Sequence, residues 1–421
     1  MILITILLLL PSRSVGLLVS PSDPSLFFSP GNWQITDALA STVNPGAYAK
    51  LSFRGSSSVA LLVDAMPCLW SSCMTLSYSI DGLPLQLKDN PVRDGTVSIP
   101  LAEKLDPSTT HSLAIHVYNS IQYGNRWLDV GQAPYTDQRQ ALLLWGIVLD
   151  DGAQAIPSKL RPKRLIAFGD SITEGVGAVC EGQGDLQTNA ATKTWVQATA
   201  SALSAEYGQV GFGRQGWTIE GNAQVPPFFT PGLALSDKNS TWGYVFEGAQ
   251  RSFAALDYVF VLHGTNDGLS PATSPPSRVV AACEGWLHAV RAAVGSQTVV
   301  FLVVPFGGFG SANPPINALA EAFSAYQSSA VDARVRVPIR LRNGVFVLVM
   351  AGYAGYLVCM AGYGWLWPEC VGTSEPGLLF AADVPNRPRR RGCAGARVRQ
   401  LDGRVCRCLR HAHQRAFGGG V

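Results

Sequence analysis

Residues 165–177 read LIAFGDSITEGVG, an apolar run that stops at a glycine and continues into small polar residues. A short uncharged run followed by this change is typical of a buried strand that turns directly into a helix. Ser171 would then lie at the carboxyl end of the strand, where open α/β sheets bind their ligands. Asp170 and Ser171 are also common helix-capping residues, so this segment alone leaves a purely structural role open.

The segments that follow alternate between strand and helix patterns. Apolar runs predict strands over 259–262 and 298–304. Helical periodicity predicts helices over 194–206 and 277–294 and a further helix that begins after Pro314 and Pro315. This alternation is typical of a parallel sheet covered by helices on both faces. We therefore predict an α/β domain with a doubly wound sheet over residues 158–335.

Residues 21–157 follow a different pattern. Short strand-like segments are separated by Gly, Pro, Asp or Asn: AKLSFRG, SVALLVDAM, TLSYSIDG, TVSIPL, HSLAIHVY and ALLLWGIVL. Helical periodicity is scarce among them. Many short strands with turn residues between them predict an antiparallel sandwich or barrel. We expect an all-β domain in front of the α/β domain.

Composition limits the class of protein. The chain has 421 residues, 47% of them hydrophobic, and a formal net charge of +3. It is long enough to bury a large core, which indicates a globular protein of two or three domains. The small net charge gives no basic surface of the kind that nucleic-acid binding requires, so we predict no nucleic-acid partner.

The first 20 residues have the character of a secretory leader. An apolar run at residues 2–10 is followed by Pro11 and small residues, which predicts a signal peptide over 1–20 and a secreted, extracellular protein. No Lys or Arg precedes the run, so a buried N-terminal strand remains the alternative. In an oxidising compartment Cys68 could pair with Cys73, and Cys180 with Cys283.

Two later segments place hydrogen-bond donors that could serve Ser171. DYVFVLHGTNDG, residues 257–268, puts the Asn266 carboxamide at the carboxyl end of another parallel strand, and therefore on the same edge of the sheet. GFGRQGWT contains Gly216, whose backbone N–H is open to a close approach by substrate, or which serves only the turn. With the Ser171 N–H, these groups could bind the oxyanion that forms when a serine attacks an ester.

Competing motifs fail on their spacing. The Gly-x-Ser-x-Gly elbow needs a glycine at position 173, which is threonine. GVGAVC lacks the third glycine of a dinucleotide-binding loop, and no Walker lysine is present. No motif therefore predicts a cofactor or a metal ion.

The three segments resemble the conserved blocks of the GDSL or SGNH hydrolases. GDSITEG is similar to the first block, QGWT to the glycine block and GTND to the asparagine block, in the same order and at similar separations. The β-rich region joined through WGIVLDDGAQAI to RPKRLIAFGDSITEGVG further resembles the acetylxylan esterases of the second carbohydrate-esterase family, over residues 33–332.

The resemblance implies a flavodoxin-like SGNH hydrolase domain with a parallel sheet behind a jelly-roll-like domain. It implies that Ser171 is the nucleophile, that Gly216 and Asn266 form the oxyanion hole, and that no metal is required. The expected reaction is removal of acetyl groups from a polysaccharide such as xylan, or from another small ester. A lipid esterase of the same superfamily and a catalytically inactive carbohydrate-binding protein are the alternatives.

The sequence does not identify a catalytic base. The superfamily supplies it from an Asp-x-x-His block near the C-terminus, and this sequence has none. His111 and His116 belong to predicted β strands, and His288 lies opposite the apolar stripe of its helix, which indicates solvent exposure. His263 precedes the asparagine block, where strand alternation favours a packed or supporting role over proton transfer. The last two histidines, His411 and His413, lie in an arginine-rich tail.

That tail, residues 336–421, has an atypical composition. Residues 344–367 are uncharged and long enough to span a membrane, and an Arg-, Gly- and Cys-rich segment without lysine follows. Our favoured interpretation is that an unspliced segment or a shifted reading frame has replaced the final strand, the final helix and the base, because these are missing together. A membrane anchor is the alternative that we do not favour.

Overall fold

The computed structural model describes residues 16–65, 74–89, 95–122, 124, 126–127, 140–179, 185–223, 225–230, 240–253, 255–305, 314–337, 339–340, 345–349 and 357–361. In chain order the strands are β1 (Leu17–Val19), β2 (Phe27–Phe28), β3 (Gln34–Ile35), β4 (Ala40–Thr42), β5 (Tyr48–Arg54), β6 (Val59–Ala65), β7 (Met74–Ile80), β8 (Gln86–Asp89), β9 (Gly95–Ala102), β10 (His111–Ser120), β11 (Leu142–Leu149), β12 (Gln154–Ile156), β13 (Lys163–Gly169), β14 (Ala205–Gly211), β15 (Tyr244–Phe246), β16 (Ala249–Gln250), β17 (Tyr258–Leu262), β18 (Val299–Leu302), β19 (Val335–Arg336), β20 (Ile339–Arg340), β21 (Val345–Val349) and β22 (Leu357–Ala361). The α-helices are α1 (Ser171–Glu174), α2 (Asp185–Thr188), α3 (Trp195–Ala202), α4 (Thr265–Leu269), α5 (Pro276–Val294) and α6 (Pro314–Ala330), with a 3-10 turn at Ala191–Lys193.

The N-terminal region is an antiparallel sandwich, which confirms the prediction of an all-β domain. One sheet has the order β3-β4-β11-β6-β9, with β1 also paired to β11, and the other has the order β12-β5-β10-β7-β8, with β2 also paired to β5. Each of the six segments predicted as strands forms one. Their alternate side chains, such as Leu51, Phe53, Leu61 and Val63, are buried between the sheets.

The first strand limits where a leader peptide can end. Leu17–Val19 pairs with Leu149–Ile147 of β11, and Val19 is buried. Cleavage after residue 20, the boundary given by the sequence, would remove this strand from the sandwich. A leader that leaves the domain intact therefore ends before Leu17. The apolar run at residues 2–10 lies outside the described residues.

The second domain contains a five-stranded sheet in the order β14-β13-β17-β18-β19. All four pairings are parallel, and numbered within this domain the order is 2-1-3-4-5, the doubly wound flavodoxin-like arrangement. The prediction of a flavodoxin-like α/β domain is confirmed. β13, which carries RLIAF, pairs with β14 on one side and β17 on the other, and the strand order reverses at this strand.

The sequence did not predict one strand of this sheet, and the helix that it predicted before this strand is longer than the observed one. The helix predicted over 194–206 ends at Ala202, and residues 205–211 form β14 instead. The sequence AEYGQVG has no apolar run because Glu206 and Gln209 are buried polar residues in it. Glu206 is neutralised by Lys50 of β5, with Nζ 2.7 and 2.8 Å from its carboxylate oxygens, a contact between distant segments that periodicity does not reveal.

The β domain covers the edge of the parallel sheet. A Cβ at Gly208 of β14 would collide with the Pro30 carbonyl, and Asn32 Nδ2 donates to the Gln209 carbonyl at 3.2 Å. An uncovered edge strand would present unpaired backbone groups to other chains. The two domains therefore share an interface along the middle of β14, from Glu206 to Gln209.

The long helix α5 matches the prediction from the sequence. α5 spans Pro276–Val294 and ends at Gly295, as predicted, and His288 is exposed on its outer face, where its ring packs against that of Tyr326. Cys283 lies on the inner face as a free, buried thiol, so its predicted pairing with Cys180 is wrong. Cys68, Cys73 and Cys180 lie outside the described residues.

The C-terminal expectations need two corrections. The final strand is present, because β19 pairs in parallel with β18. The described parts of residues 344–367, the basis of the membrane-anchor alternative, are β21 and β22, which pair antiparallel with each other. Within the part of the chain that the structure describes, no helix is long and apolar enough to cross a membrane. Residues 362–421, with His411 and His413, lie outside it.

Candidate active site

Three strand ends meet where the sheet order reverses. Gly169, the last residue of β13, is the register partner of both Gly211 on β14 and Leu262 on β17. Neighbouring strands lie about 4.8 Å apart, so the segments that follow these residues leave the sheet side by side. They are the segments that carry Ser171, Gly216 and Asn266. The convergence predicted from the sequence therefore has its basis in the register of the sheet.

Ser171 begins α1, a single helical turn. Asp170 caps this turn, because its side chain accepts a hydrogen bond from the Ile172 N–H at 2.9 Å. The Glu174 N–H donates to the Asp170 carbonyl at 2.9 Å, and Gly175 ends the turn at φ 92°, a conformation that favours glycine. Asp170 thus performs the capping role that the sequence left open between the two residues, and the half-buried Ser171 hydroxyl is not needed for it.

Asp170 is fully buried, and this changes its acidity. Burial, with a smaller contribution from the charge of nearby Asp267, raises the pKa of its carboxyl from the ordinary value of 3.8 to about 7, even though the hydrogen bond from the Ile172 N–H lowers it. A carboxyl beside the candidate nucleophile is therefore protonated in a large fraction of molecules near neutral pH.

Asn266 is bound to the loop that contains Gly216. Its Nδ2 donates to the Gln215 carbonyl at 2.8 Å, so the glycine and asparagine blocks are in direct contact. A carboxamide has two N–H donors, and this bond uses one. The second is the donor that the predicted oxyanion role would use.

Asp267, next to Asn266, adds further hydrogen bonds between the asparagine block and the glycine block. Its Oδ2 accepts from the Trp217 N–H at 2.8 Å, and its Oδ1 accepts from the Thr218 N–H at 3.1 Å and from the Ser274 hydroxyl at 2.7 Å. The residue is 1% exposed. No sequence pattern pointed to Asp267, although its place next to Asn266 in GTNDG was the available signal.

Gly216 differs from expectation in one respect. Its N–H donates to the Ile219 carbonyl at 2.9 Å, within its own loop, instead of being open to substrate. The residue must still be glycine, because a Cβ here would lie 2.8 Å from Cγ of Asp267. The turn role that the sequence left as an alternative accounts for these contacts, and an oxyanion role would require the bond to Ile219 to open.

No histidine hydrogen-bonds the Ser171 hydroxyl within the described residues. His263 follows β17 but is 1% exposed, and its ring packs 4.5 Å from that of Phe228 and 6.1 Å from that of Trp217. Burial lowers its pKa to about 3, which makes it a weak base. His111 and His116 lie on β10 of the sandwich, where alternation had placed them. The base of the reaction is not assigned.

Trp217 belongs to the core. It is 1% exposed and packs edge-to-face against Phe228 and Trp286. Its ring is therefore not exposed to stack on a sugar. Among the described side chains, no group of three His, Cys, Asp or Glu is arranged to hold a metal ion.

A family model covers the domain that holds these residues. Residues 167–339 match the GDSL-like lipase/acylhydrolase family, and the match includes all three candidate site residues. A sequence comparison with curated proteins finds no match.

Solved structures share both domains. An acetyl xylan esterase from the rumen bacterium Butyrivibrio proteoclasticus superposes with a TM-score of 0.59 at 16% identity, over 77% of this chain and 89% of that one. A family two carbohydrate esterase from Clostridium thermocellum in complex with cellohexaose gives 0.56 at 16% identity, over 74% and 87%. A family two carbohydrate esterase from Cellvibrio japonicus gives 0.57 at 16%, over 76% and 88%. At these identities the similarity establishes the two-domain fold.

Proposed function

We propose that this chain, whose residues 167–339 form a domain of the GDSL-like lipase/acylhydrolase family, is a carboxylic ester hydrolase in which Ser171 is the nucleophile. The observation that carries the proposal is the shared register of Gly169 with Gly211 and Leu262, which brings the three candidate segments to one point on the sheet edge. Open α/β sheets bind their ligands at this position.

The reaction follows the chemistry of acyl transfer to serine. The Ser171 oxygen attacks the ester carbonyl, its proton passes to a base, and the carbonyl oxygen becomes an oxyanion. The second N–H of Asn266 and the Ser171 amide are the donors available to it, and removal of one such donor typically costs about 2.7–4 kcal/mol of transition-state stabilisation. Collapse of the tetrahedral intermediate expels the alcohol and leaves an acyl-serine, which water then hydrolyses to the acid.

The substrate that we propose is an acetylated polysaccharide such as xylan. Two relatives in fold support this choice: one is an acetyl xylan esterase and another was solved with cellohexaose. We also propose that the protein is secreted, with a leader peptide that ends before Leu17 so that β1 stays in the sandwich.

The decisive experiment is labelling of the full chain with a serine-directed phosphonate, followed by assays on two ester classes. We expect labelling that disappears in Ser171→Ala, and release of acetate from acetylated xylan in preference to cleavage of long-chain acyl esters. Dominant long-chain activity would assign the protein as a lipid esterase instead. Labelling that persists in Ser171→Ala would refute the assignment of the nucleophile.

A carbohydrate-binding protein without turnover is the second candidate. It is favoured by two observations: within the described residues Ser171 has no histidine partner, and the Gly216 N–H is already bonded to the Ile219 carbonyl. Binding of xylan oligosaccharides without labelling at Ser171 and without release of acetate would establish this candidate.

A further inference from the structure

A buried ion pair joins the β domain to the turn that carries Ser171. Arg126, from the segment after β10, donates from Nη1 to Oε1 of Glu174 at 2.5 Å and from Nη2 to Oε2 at 3.3 Å. Gln122 Nε2 donates to the same Oε1 at 2.7 Å. The side chains of Arg126 and Glu174 are 0% and 2% exposed. Two parallel hydrogen bonds of this kind fix both the position and the orientation of a carboxylate.

The carboxylate belongs to the residue that closes the nucleophile turn. Glu174 is the last residue of α1, and its N–H makes the bond to the Asp170 carbonyl that encloses Ser171. A single helical turn is not stable by itself, so tertiary contacts must hold it. One contact is with the backbone of β14, since a Cβ at Gly211 would lie 2.8 Å from the Glu174 Cα. Thr173 of the same turn accepts from Trp195 Nε1 at 3.1 Å and from Gln209 Nε2 at 2.8 Å. The contact from the side of Arg126 is the ion pair with Glu174.

The β domain delivers Arg126 from a fixed backbone. Asn119, near the end of β10, donates from Nδ2 to the carbonyls of Leu186 and Asn189 at 3.1 Å each. Beyond Arg126, the Trp127 carbonyl accepts from the Glu247 N–H at 2.8 Å. The segment is therefore bound to the α/β domain on both sides of the arginine, independently of the ion pair.

Gln122 extends the same support to the second loop of the site. A Cβ at Gly213, in the GFGRQGWT loop, would lie 2.9 Å from the Gln122 Cδ, and Asn222 Nδ2 donates to Gln122 Oε1 at 3.3 Å. One short segment of the β domain thus contacts both the Ser171 turn and the loop of Gly216.

We propose that Arg126 is a positioning residue for the Ser171 nucleophile and acts through Glu174, so that the β domain completes the active site of the α/β domain. The inference rests on the proposed esterase function. Arg126 is fully buried, and its contact with the turn is through Glu174 and not through Ser171. Its loss should therefore change the geometry of attack and lower kcat while leaving KM nearly constant.

The test uses Arg126→Met, Arg126→Lys and Glu174→Gln in the full chain. Displacement of a reacting group by about 1 Å can cost on the order of 10²-fold in rate, and we expect a kcat loss of this size in Arg126→Met with KM changed less than about twofold. Lysine keeps the charge without the planar fork, so Arg126→Lys should retain more activity, with a loss of about tenfold. Arg126→Met combined with Glu174→Gln should be no worse than the more severe single variant.

A second readout reports on geometry directly. Hydrogen–deuterium exchange of the amides of residues 171–176 should be faster in Arg126→Met than in the parent protein, well below the melting temperature. This measurement does not depend on turnover. If Arg126→Met does not fold, the same comparison is made with Arg126→Lys.

The matched control is Lys50→Met. It also removes the cation from a buried carboxylate at the domain interface, Glu206, which is 1% exposed. Glu206 lies at the start of β14, five residues and about 16 Å from the strand end that contacts the Ser171 turn. We expect Lys50→Met to lower the melting temperature while kcat and exchange in 171–176 stay unchanged.

The outcomes separate the two proposals. Equal kcat losses in Arg126→Met and Lys50→Met would overturn the positioning role, because domain docking alone would then explain them. Unchanged exchange in residues 171–176 of Arg126→Met would also overturn it. An inactive parent protein would contradict the esterase function, whereas faster local exchange in Arg126→Met alone would still support the positioning of the turn.

Discussion

Replacement of Asp170 by asparagine should change how the stability of the protein depends on pH. Burial raises the pKa of this carboxyl from 3.8 to about 7 in the folded protein. Between these values the folded state keeps a proton that the unfolded state has lost. The free energy of unfolding of the parent protein therefore contains a contribution that falls as the pH rises from about 4 to about 7.

The size of this contribution follows from the pKa difference. A rise from 3.8 to about 7 corresponds to about 4 kcal/mol, at about 1.36 kcal/mol for each pKa unit. Below pH 4 the carboxyl is protonated in both states and the contribution is zero. Asparagine is neutral throughout, and its side-chain oxygen can still accept from the Ile172 N–H, so the cap is retained.

The measurement is urea denaturation of the parent and of Asp170→Asn at several pH values from 4 to 8. The variant should match the parent near pH 4 and exceed it by an amount that grows toward about 4 kcal/mol above pH 7. Other titrating groups are common to both proteins and cancel in the difference. Asp37→Asn, at an exposed carboxylate of the β domain, is the control substitution. Parallel curves for the parent and Asp170→Asn would refute the reasoning.

Two further substitutions test how the site is held. Asp267→Ala removes the acceptor for the buried N–H groups of Trp217 and Thr218, each of which costs about 1–3 kcal/mol when unsatisfied, so we expect a loss of about 2–6 kcal/mol in urea denaturation together with slower labelling of Ser171. A loss of stability below about 1 kcal/mol would argue against the role of Asp267 in holding residues 217 and 218. Gly169→Ala places a Cβ 2.7 Å from the Thr173 Cβ of α1 and 2.9 Å from the Leu262 carbonyl of β17, and should cost about 1–3 kcal/mol with a lower melting temperature. An unchanged melting temperature would mean that the strand ends are less tightly packed than their register indicates.

Much of the fold could be predicted from local patterns. The alternation of β10 and the period of α5, with its stop at Gly295, depend on residues close together in the chain, and their predicted boundaries were nearly correct. The strand that was not predicted, β14, depends instead on residues that are distant in the chain. Its buried Glu206 is compatible with a strand only because Lys50 and Tyr48 of the other domain bind it, and local sequence carries no record of those partners.

The sequence by itself determined which residues could carry the chemistry: it placed Ser171 and Asn266 at the ends of parallel strands, and parallel strands share one edge. Tertiary structure alone decided how those residues are held. It engaged the Gly216 N–H with Ile219, buried Asp170 so that its pKa rises, and brought Arg126 to Glu174. The physical reason is that residue type and periodicity are local properties, whereas burial and hydrogen-bond partners depend on segments that meet only after the chain has folded.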